Sequence, residues 1–153
     1  MRLFEDEVIL DKELNDFTEK NKKKLGLVSL DVPLISNLDI SVNIALIKQY
    51  HENLSADKAQ DLVLSYLTRY SLEHISNKRN PALTNRERFC VMLLRAAMVR
   101  DSIVVIDRPF TIIPDVKDDR FIYDALKVID DLFKECHIFD YLWSKDRYGM
   151  IGL

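Results

Sequence analysis

The chain has 153 residues, of which 48% are hydrophobic and 31% are charged, which is typical of one globular domain and excludes a disordered protein. A formal net charge of −3 excludes a general electrostatic attraction to nucleic acid or anionic lipid. No apolar run reaches the length of a membrane span and no leader pattern opens the sequence, so we expect a cytoplasmic protein without a transmembrane helix.

The three glycines, Gly26, Gly149 and Gly152, are too few and too dispersed for a phosphate loop of the G-x-x-x-x-G-K-[ST] or G-x-G-x-x-G kind. The lysine run within residues 20–24 is typical of a solvated turn, with a phosphate or lipid contact as the alternative. Cys90 and Cys136 suit buried thiols in a reducing compartment better than a disulfide.

The first half of the sequence predicts two short strands followed by two helices. The strands are expected at residues 7–14 and 25–30, with the lysine run between them. A helix is expected from Ile40 to Tyr50. Another begins after Ser55, a good N-cap, because apolar residues then repeat at i, i+3, i+4 and i+7.

Residues 82–110 are the most informative stretch. Thr84 and Glu87 have the T-x-x-E spacing of a capping box, and the helix that follows is apolar on nearly all sides from Phe89 onward. The continuous apolar run at residues 102–106 is typical of a parallel strand buried on both faces. Asp107 follows at the carboxyl end of that strand, where α/β sheets usually bind ligands.

The remaining sequence predicts one long helix at about residues 116–135 and two closing strands at residues 137–142 and 148–151. Asp118 and Asp119 are favourably placed near the N-terminus of the predicted helix. The histidines show no metal spacing, so no metal site is predicted. This mixture of strands and helices indicates the α/β class, with an inserted helical portion.

Taken in order, these elements resemble the ATP-binding subunit of ABC transporters. Residues 33–44, PLISNLDISVNI, are similar to the P-L-F-P-N-L-T-V-x-E-N-V stretch that opens the helical subdomain of that family. Residues 83–87 fall where the L-S-G-G-Q signature stands, and residues 103–109, IVVIDRP, resemble the L-L-L-L-D-E-P of Walker B. The resemblance implies a truncated P-loop NTPase-like sheet forming a single domain over residues 1–153, with a helical subdomain at about residues 40–100.

The residues that carry chemistry in the family are altered in this chain. Leu30 replaces the Q-loop glutamine and offers no ligand atom for Mg²⁺. Asp107 matches the Walker B aspartate, but Arg108 replaces the catalytic glutamate and cannot act as a general base. Leu142 and Trp143 stand near the position of the H-loop histidine.

The signature segment is altered in the same way. It reads Leu83, Thr84, Asn85, Arg86, Glu87. Asn85 and Arg86 replace the glycines that let a helix N-terminus approach a phosphate. Considered separately, Arg86 is expected to be a solvated arginine rather than a phosphate contact, Glu87 a capping residue, and Asp107 a polar group at a strand end.

The resemblance favours a catalytically inactive binding or regulatory module over an enzyme, with no cofactor and no metal. Its partner groove is expected along residues 30–38, including Leu30, Asp31, Val32, Pro33 and Leu34, where family members receive a helix of the membrane subunit. The alternative is one part of a split or asymmetric ATPase whose phosphate loop comes from a partner chain. A third possibility is an unrelated structural or regulatory role on the same scaffold.

Only residues 1–6 precede the first predicted strand, so we expect neither a phosphate loop nor the helix that follows it in the family. Loss of that helix would bare one face of the sheet. The candidates to cover it are the N-terminal residues, a second copy, or another protein. We therefore expect a homodimer or heteromer, with a membrane permease subunit or an intact ABC ATPase as partner, at the membrane only through that partner and without nucleic acid.

Overall fold

The computed structural model describes residues 1–152, in which four parallel strands form one sheet. The strands, in chain order, are β1 (Arg2–Phe4), β2 (Leu25–Val28), β3 (Ile103–Asp107) and β4 (Glu135–Tyr141). Their order across the sheet is β1-β4-β3-β2, and every neighbouring pair is parallel. All four carboxyl ends therefore lie at the same end of the sheet.

Helices connect the strands within the described residues. They are α1 (Glu7–Lys20), α2 (Ile40–Glu52), α3 (Ala56–Arg69), α4 (Asn85–Ala97), α5 (Pro109–Ile112) and α6 (Arg120–Val128). The prediction of an α/β fold is confirmed, as are β2, α2 and α3, the last with Ser55 accepting a hydrogen bond from the Lys58 N–H at 3.2 Å.

The strand predicted at residues 7–14 is wrong, because this segment belongs to α1. Asp6 is the N-cap, and its side chain accepts a hydrogen bond from the Ile9 N–H at 2.9 Å. The buried residue Leu10 and the partly buried Leu14 and Phe17 recur at i, i+4 and i+7, which is the period of a helix. The neighbouring Val8, which made the segment look like a strand, is exposed.

Helix α1 covers one face of the sheet. Leu10 packs with Val105 of β3 and Phe139 of β4 in a small core, and all three side chains are fully buried. Of the three candidates to cover this face, the N-terminal residues therefore do so. The expectation that no helix covers it is wrong, and a partner is not needed for that purpose.

The opposite face of the sheet packs against α4. Val104 and Ile106 of β3 join a large core with Phe89 and other α4 residues, which confirms that β3 is buried on both faces. Strand β2 approaches α4 closely at Gly26, where a Cβ atom would lie 2.1 Å from the Ala96 carbonyl oxygen. Only glycine permits this approach.

The structure differs from the prediction after β3. The helix expected at residues 116–135 is only α6, followed by a short 3-10 turn at Asp130–Leu132. The helix begins only after Asp119, which makes a tertiary contact. The buried carboxylate of Asp119 accepts hydrogen bonds from the Met150 and Ile151 N–H groups, at 2.6 Å for Ile151. That contact also holds residues 148–151 in turns, so the strand expected there is wrong.

The two cysteines are at least partly buried, as the sequence predicts. Cys90 is buried, Cys136 is partly buried, and both thiols are free. Burial raises the pKa of each thiol to about 12, which makes both poor nucleophiles.

Across residues 1–152, no helix combines the length and apolar character that crossing a bilayer demands.

We predict that Gly26→Ala lowers the free energy of unfolding by about 1–3 kcal/mol, since the new methyl group overpacks the contact with the Ala96 backbone. Urea denaturation measures the change. Gly149→Ala is the matched control, because no atom lies within 4 Å of the added Cβ there, and its effect should stay within about 0.5 kcal/mol. Equal stability of the two variants would contradict the close approach of β2 and α4.

Candidate functional site at the carboxyl end of the sheet

The carboxyl ends of the strands border an open cleft of about 300 Å³. Asp107 ends β3, Tyr141 ends β4, and Ser29 follows β2 directly. Glu7 and Asp11 reach the cleft from the first turns of α1. The predicted position of Asp107, at the carboxyl end of a parallel strand, is therefore confirmed.

Arg108 connects the elements around this cleft. Its Nε donates to Asp107 Oδ1 at 2.7 Å, and one terminal nitrogen lies 3.0 Å from Asp11 Oδ1 on α1. The other terminal nitrogen donates to the Tyr141 hydroxyl at 3.1 Å. Ser29 completes the cluster by donating to Asp107 Oδ2 at 2.8 Å. One guanidinium thus joins α1, β3 and β4.

The environment of Arg108 keeps it charged. Burial alone lowers the pKa of the guanidinium, but hydrogen bonds to Asp107 and Tyr141 and the charges of Asp107 and Asp11 outweigh it, so the pKa of Arg108 is raised. The backbone is left-handed at Arg108, with φ 46°, which costs a non-glycine residue about 1–2 kcal/mol. The ion pairs hold this conformation in place.

This cleft does not fit a magnesium nucleotide. The Asp107 carboxylate, only 4% exposed, is already paired with Arg108 and Ser29. Two residues, Glu5 and Asp6, connect β1 to α1, and the Asp6 side chain caps the helix N-terminus that would otherwise attract a phosphate. Within residues 1–152, no three His, Cys, Asp or Glu side chains are grouped to hold a metal ion.

The signature-like segment, residues 83–87, lies at the N-terminus of α4, and its groups bond one another. The predicted capping box is confirmed, with Thr84 Oγ1 3.1 Å from the Glu87 nitrogen and Glu87 Oε1 2.9 Å from the Thr84 nitrogen. Arg86 pairs with Asp115 at 3.1 Å, and its guanidinium lies 5.2 Å from the centre of the Phe121 ring. Leu83 is buried and Asn85 accepts a hydrogen bond from Arg88.

The predicted groove segment, residues 30–38, is an ordered loop beside the cleft. The Asn43 side chain bonds both the N–H and the carbonyl of Ile35, at 2.8 and 3.1 Å. Arg95 of α4 donates to the carbonyls of Val32 and Pro33. Leu34 is buried, whereas the side chains of Leu30, Val32 and Ile35 are 55%, 41% and 49% exposed. The loop therefore presents apolar side chains on a fixed backbone.

Sequence reasoning identified Asp107, Arg108 and the groove segment but missed four residues that complete these sites. Asp11 became recognisable only once α1 was known to be a helix, because Glu7 and Asp11 are then one turn apart. Through the strand register, Ser29 reaches Asp107 and Tyr141 reaches Arg108. Asn43 had a signal in the sequence, as a polar residue among apolar ones in α2.

No protein-family model matches this chain. The lipopolysaccharide export system ATP-binding protein LptB of Escherichia coli K12 is 20% identical over 111 residues, which are 72% of this chain and 44% of LptB. LptB of Shigella flexneri matches to the same extent. The dimeric structure of MJ0796, a bacterial ABC transporter cassette, matches with a TM-score of 0.59 and 20% identity, over 82% of this chain and 56% of that chain.

The chain has an ABC ATPase-like fold. It spans about half the length of LptB and of MJ0796. In this fold, Asp107 and Arg108 belong to the segment that resembles Walker B. Arg108 bonds Asp107 and connects it to Asp11 of α1 and Tyr141 of β4.

We predict that Arg108→Gln lowers the free energy of unfolding by about 2–3 kcal/mol, because it leaves the buried Asp107 carboxylate without a cation. Urea denaturation followed by Trp143 fluorescence measures the loss. The matched control is Arg86→Gln, since the Arg86–Asp115 pair is 53% and 52% exposed and should be worth less than about 1 kcal/mol. Equal losses in the two variants would show that the Arg108 cluster is an ordinary surface ion pair.

Proposed function

We propose that this chain is a catalytically inactive ABC ATPase-like protein that acts as a binding or regulatory module on a membrane transport complex. Residues 1–153 form a single domain in this proposal, with residues of about 40–100 as its helical subdomain. The observation that carries it is the Arg108 cluster, since the chain's own guanidinium is paired with Asp107, the residue that matches the Walker B aspartate, and with Asp11. Arg108, at the position of the family's catalytic glutamate, remains protonated and cannot activate water.

The binding role is supported by the groove segment, residues 30–38. Loops usually lose entropy when a partner orders them, but Asn43 and Arg95 already hold this backbone. The exposed side chains of Leu30, Val32 and Ile35 can then bury apolar surface at little conformational cost. Asp31 is exposed beside them.

The proposed partner is a permease subunit or an intact ABC ATPase, which would hold the chain at the cytoplasmic side of a membrane. The relatives support this choice, since LptB is the ATP-binding protein of an export system and MJ0796 is a dimeric transporter cassette. A homodimer or heteromer is part of the same proposal.

We predict that millimolar Mg-ATP leaves the melting temperature of the isolated chain unchanged. A nucleotide at about 100 times its dissociation constant would add about 2.7 kcal/mol, which corresponds to a rise of roughly 5–10 °C for a chain of this size. Differential scanning fluorimetry with and without Mg-ATP measures it, with an intact ABC cassette as the positive control. A clear rise for this chain alone would overturn the prediction that it binds no nucleotide. A rise only after a partner chain is added would favour the split ATPase.

We predict that Asp31→Lys weakens capture of the permease subunit without lowering the melting temperature, because the side chain is exposed in the groove segment. Co-purification of the tagged chain from its source cells measures capture. Asp61→Lys on α3 is the matched control, since it is also exposed and changes the net charge equally. Equal capture by the two variants would place the contact outside residues 30–38.

A further inference from the structure

A patch of acidic and apolar side chains surrounds the cleft at the carboxyl end of the sheet. We call it the end patch and define it by Glu7, Leu30, Asp31, Tyr141 and Trp143. The first four of these line the cleft. Trp143 adjoins them because its ring stacks on the Tyr141 ring, with centroids 4.0 Å apart and planes inclined by 14°.

The end patch is strongly acidic. Four carboxylates line the cleft, those of Glu7, Asp11, Asp31 and Asp107, against the single cation Arg108. The formal charge there is −3. Since Arg108 already pairs with Asp11 and Asp107, the charges available to a partner are those of Glu7 and Asp31.

The apolar part of the end patch is exposed. Trp143 is 68% exposed, although its ring rests on Tyr141, and Leu30 is 55% exposed. Tyr141 is itself held by Arg108, so the ring pair stands on a fixed base. An exposed tryptophan on a rigid base is the kind of residue that dominates binding energy at protein interfaces.

We propose that the end patch binds a segment of another protein that carries lysine or arginine next to an apolar residue. The basic groups would meet Glu7 and Asp31, and the apolar residue would cover Trp143 and Leu30. Phosphates, nucleic acids and anionic lipids carry the wrong charge for this surface. The inference rests on the proposed binding function and adds the chemistry of the partner.

A second copy of this chain also carries a basic segment, the exposed lysines at 22–24. Such a contact would join the lysine turn of one copy to the end patch of the next and would not close on itself. A separate partner is favoured because it needs no open chain of copies. The experiment distinguishes the two occupants.

The probe is a fluorescein-labelled helical peptide of about 15 residues, built from lysine, leucine and alanine, with a counterpart in which glutamate replaces every lysine. Fluorescence anisotropy measures their binding to the full chain. We expect the lysine peptide to bind with a dissociation constant near 100 μM, to lose affinity as salt is raised, and the glutamate peptide not to bind. Equal binding of the two peptides, or of neither, would overturn the proposal.

Variants locate the binding surface. Glu7→Lys should weaken binding of the lysine peptide by about fivefold or more, and Asp57→Lys should change it by less than about twofold. Glu7 and Asp57 are a matched pair, since both residues are acidic, exposed and in the first turn of a helix. Trp143→Ala should weaken it by about fivefold, with Tyr50→Ala, an 85% exposed aromatic on α2, as control. Equal effects within either pair would overturn the proposal.

These variants lie outside residues 30–38, so they separate this inference from the proposed function. Glu7→Lys should weaken both peptide binding and permease capture, and loss of peptide binding with capture intact would overturn the inference, whereas the Mg-ATP melting experiment tests the inactive module alone. Sedimentation velocity of the chain without peptide is the last arm. If the sedimentation coefficient rises with protein concentration, and this rise disappears in both Glu7→Lys and Lys22→Glu, a second copy is the occupant. That result would overturn the proposal of a separate partner.

Discussion

The ion pairs of Arg108 with Asp107 and Asp11 hold the carboxyl end of this sheet together. Strand β3 ends in a buried carboxylate, and helix α1 brings a second carboxylate to the same place. Two such groups repel each other unless a cation lies between them. The guanidinium supplies that charge from within the chain, and its planar shape lets it bond Tyr141 as well. The same contact holds α1 against the carboxyl end of the sheet.

The residues that fold this chain differ from those that would be needed to hydrolyse a nucleotide. The sheet order, the two-sided burial of β3 and the capped α4 all follow from folding requirements. None of them needs a nucleotide. At the positions where a nucleotide-hydrolysing site would need free ligands, hydrogen bonds within the chain have already used the polar atoms. The surfaces left for contact are the groove segment and the end patch.

The accuracy of the sequence predictions depended on how local each determinant was. The capping box at Thr84 and the buried strand before Asp107 rest on neighbours in sequence, and both were found. Helix α1 was missed because Val8, Ile9 and Leu10 form an apolar run that also suits a strand, and only the Asp6 cap and the spacing to Phe17 decide between them. The helix predicted at 116–135 begins only at Arg120, after Asp119, which bonds Met150 and Ile151 in a contact between distant parts of the chain, and it ends at Val128 before the turn that leads into β4. The cluster around Arg108 is non-local in the same way, so its members other than Asp107 and Arg108 had no signal in the sequence.

The sheet order also sets the sequence in which this protein is assembled. Strand β1 contacts the sheet only through β4, with Arg2 opposite Phe139. During synthesis β1 therefore has no neighbour in the sheet until β4 has left the ribosome, and α1 has only part of its packing surface until Phe139 arrives. Until then the apolar side of α1 is open to chaperones and to aggregation. Completion of β4 is thus the step that commits β1 to its native position.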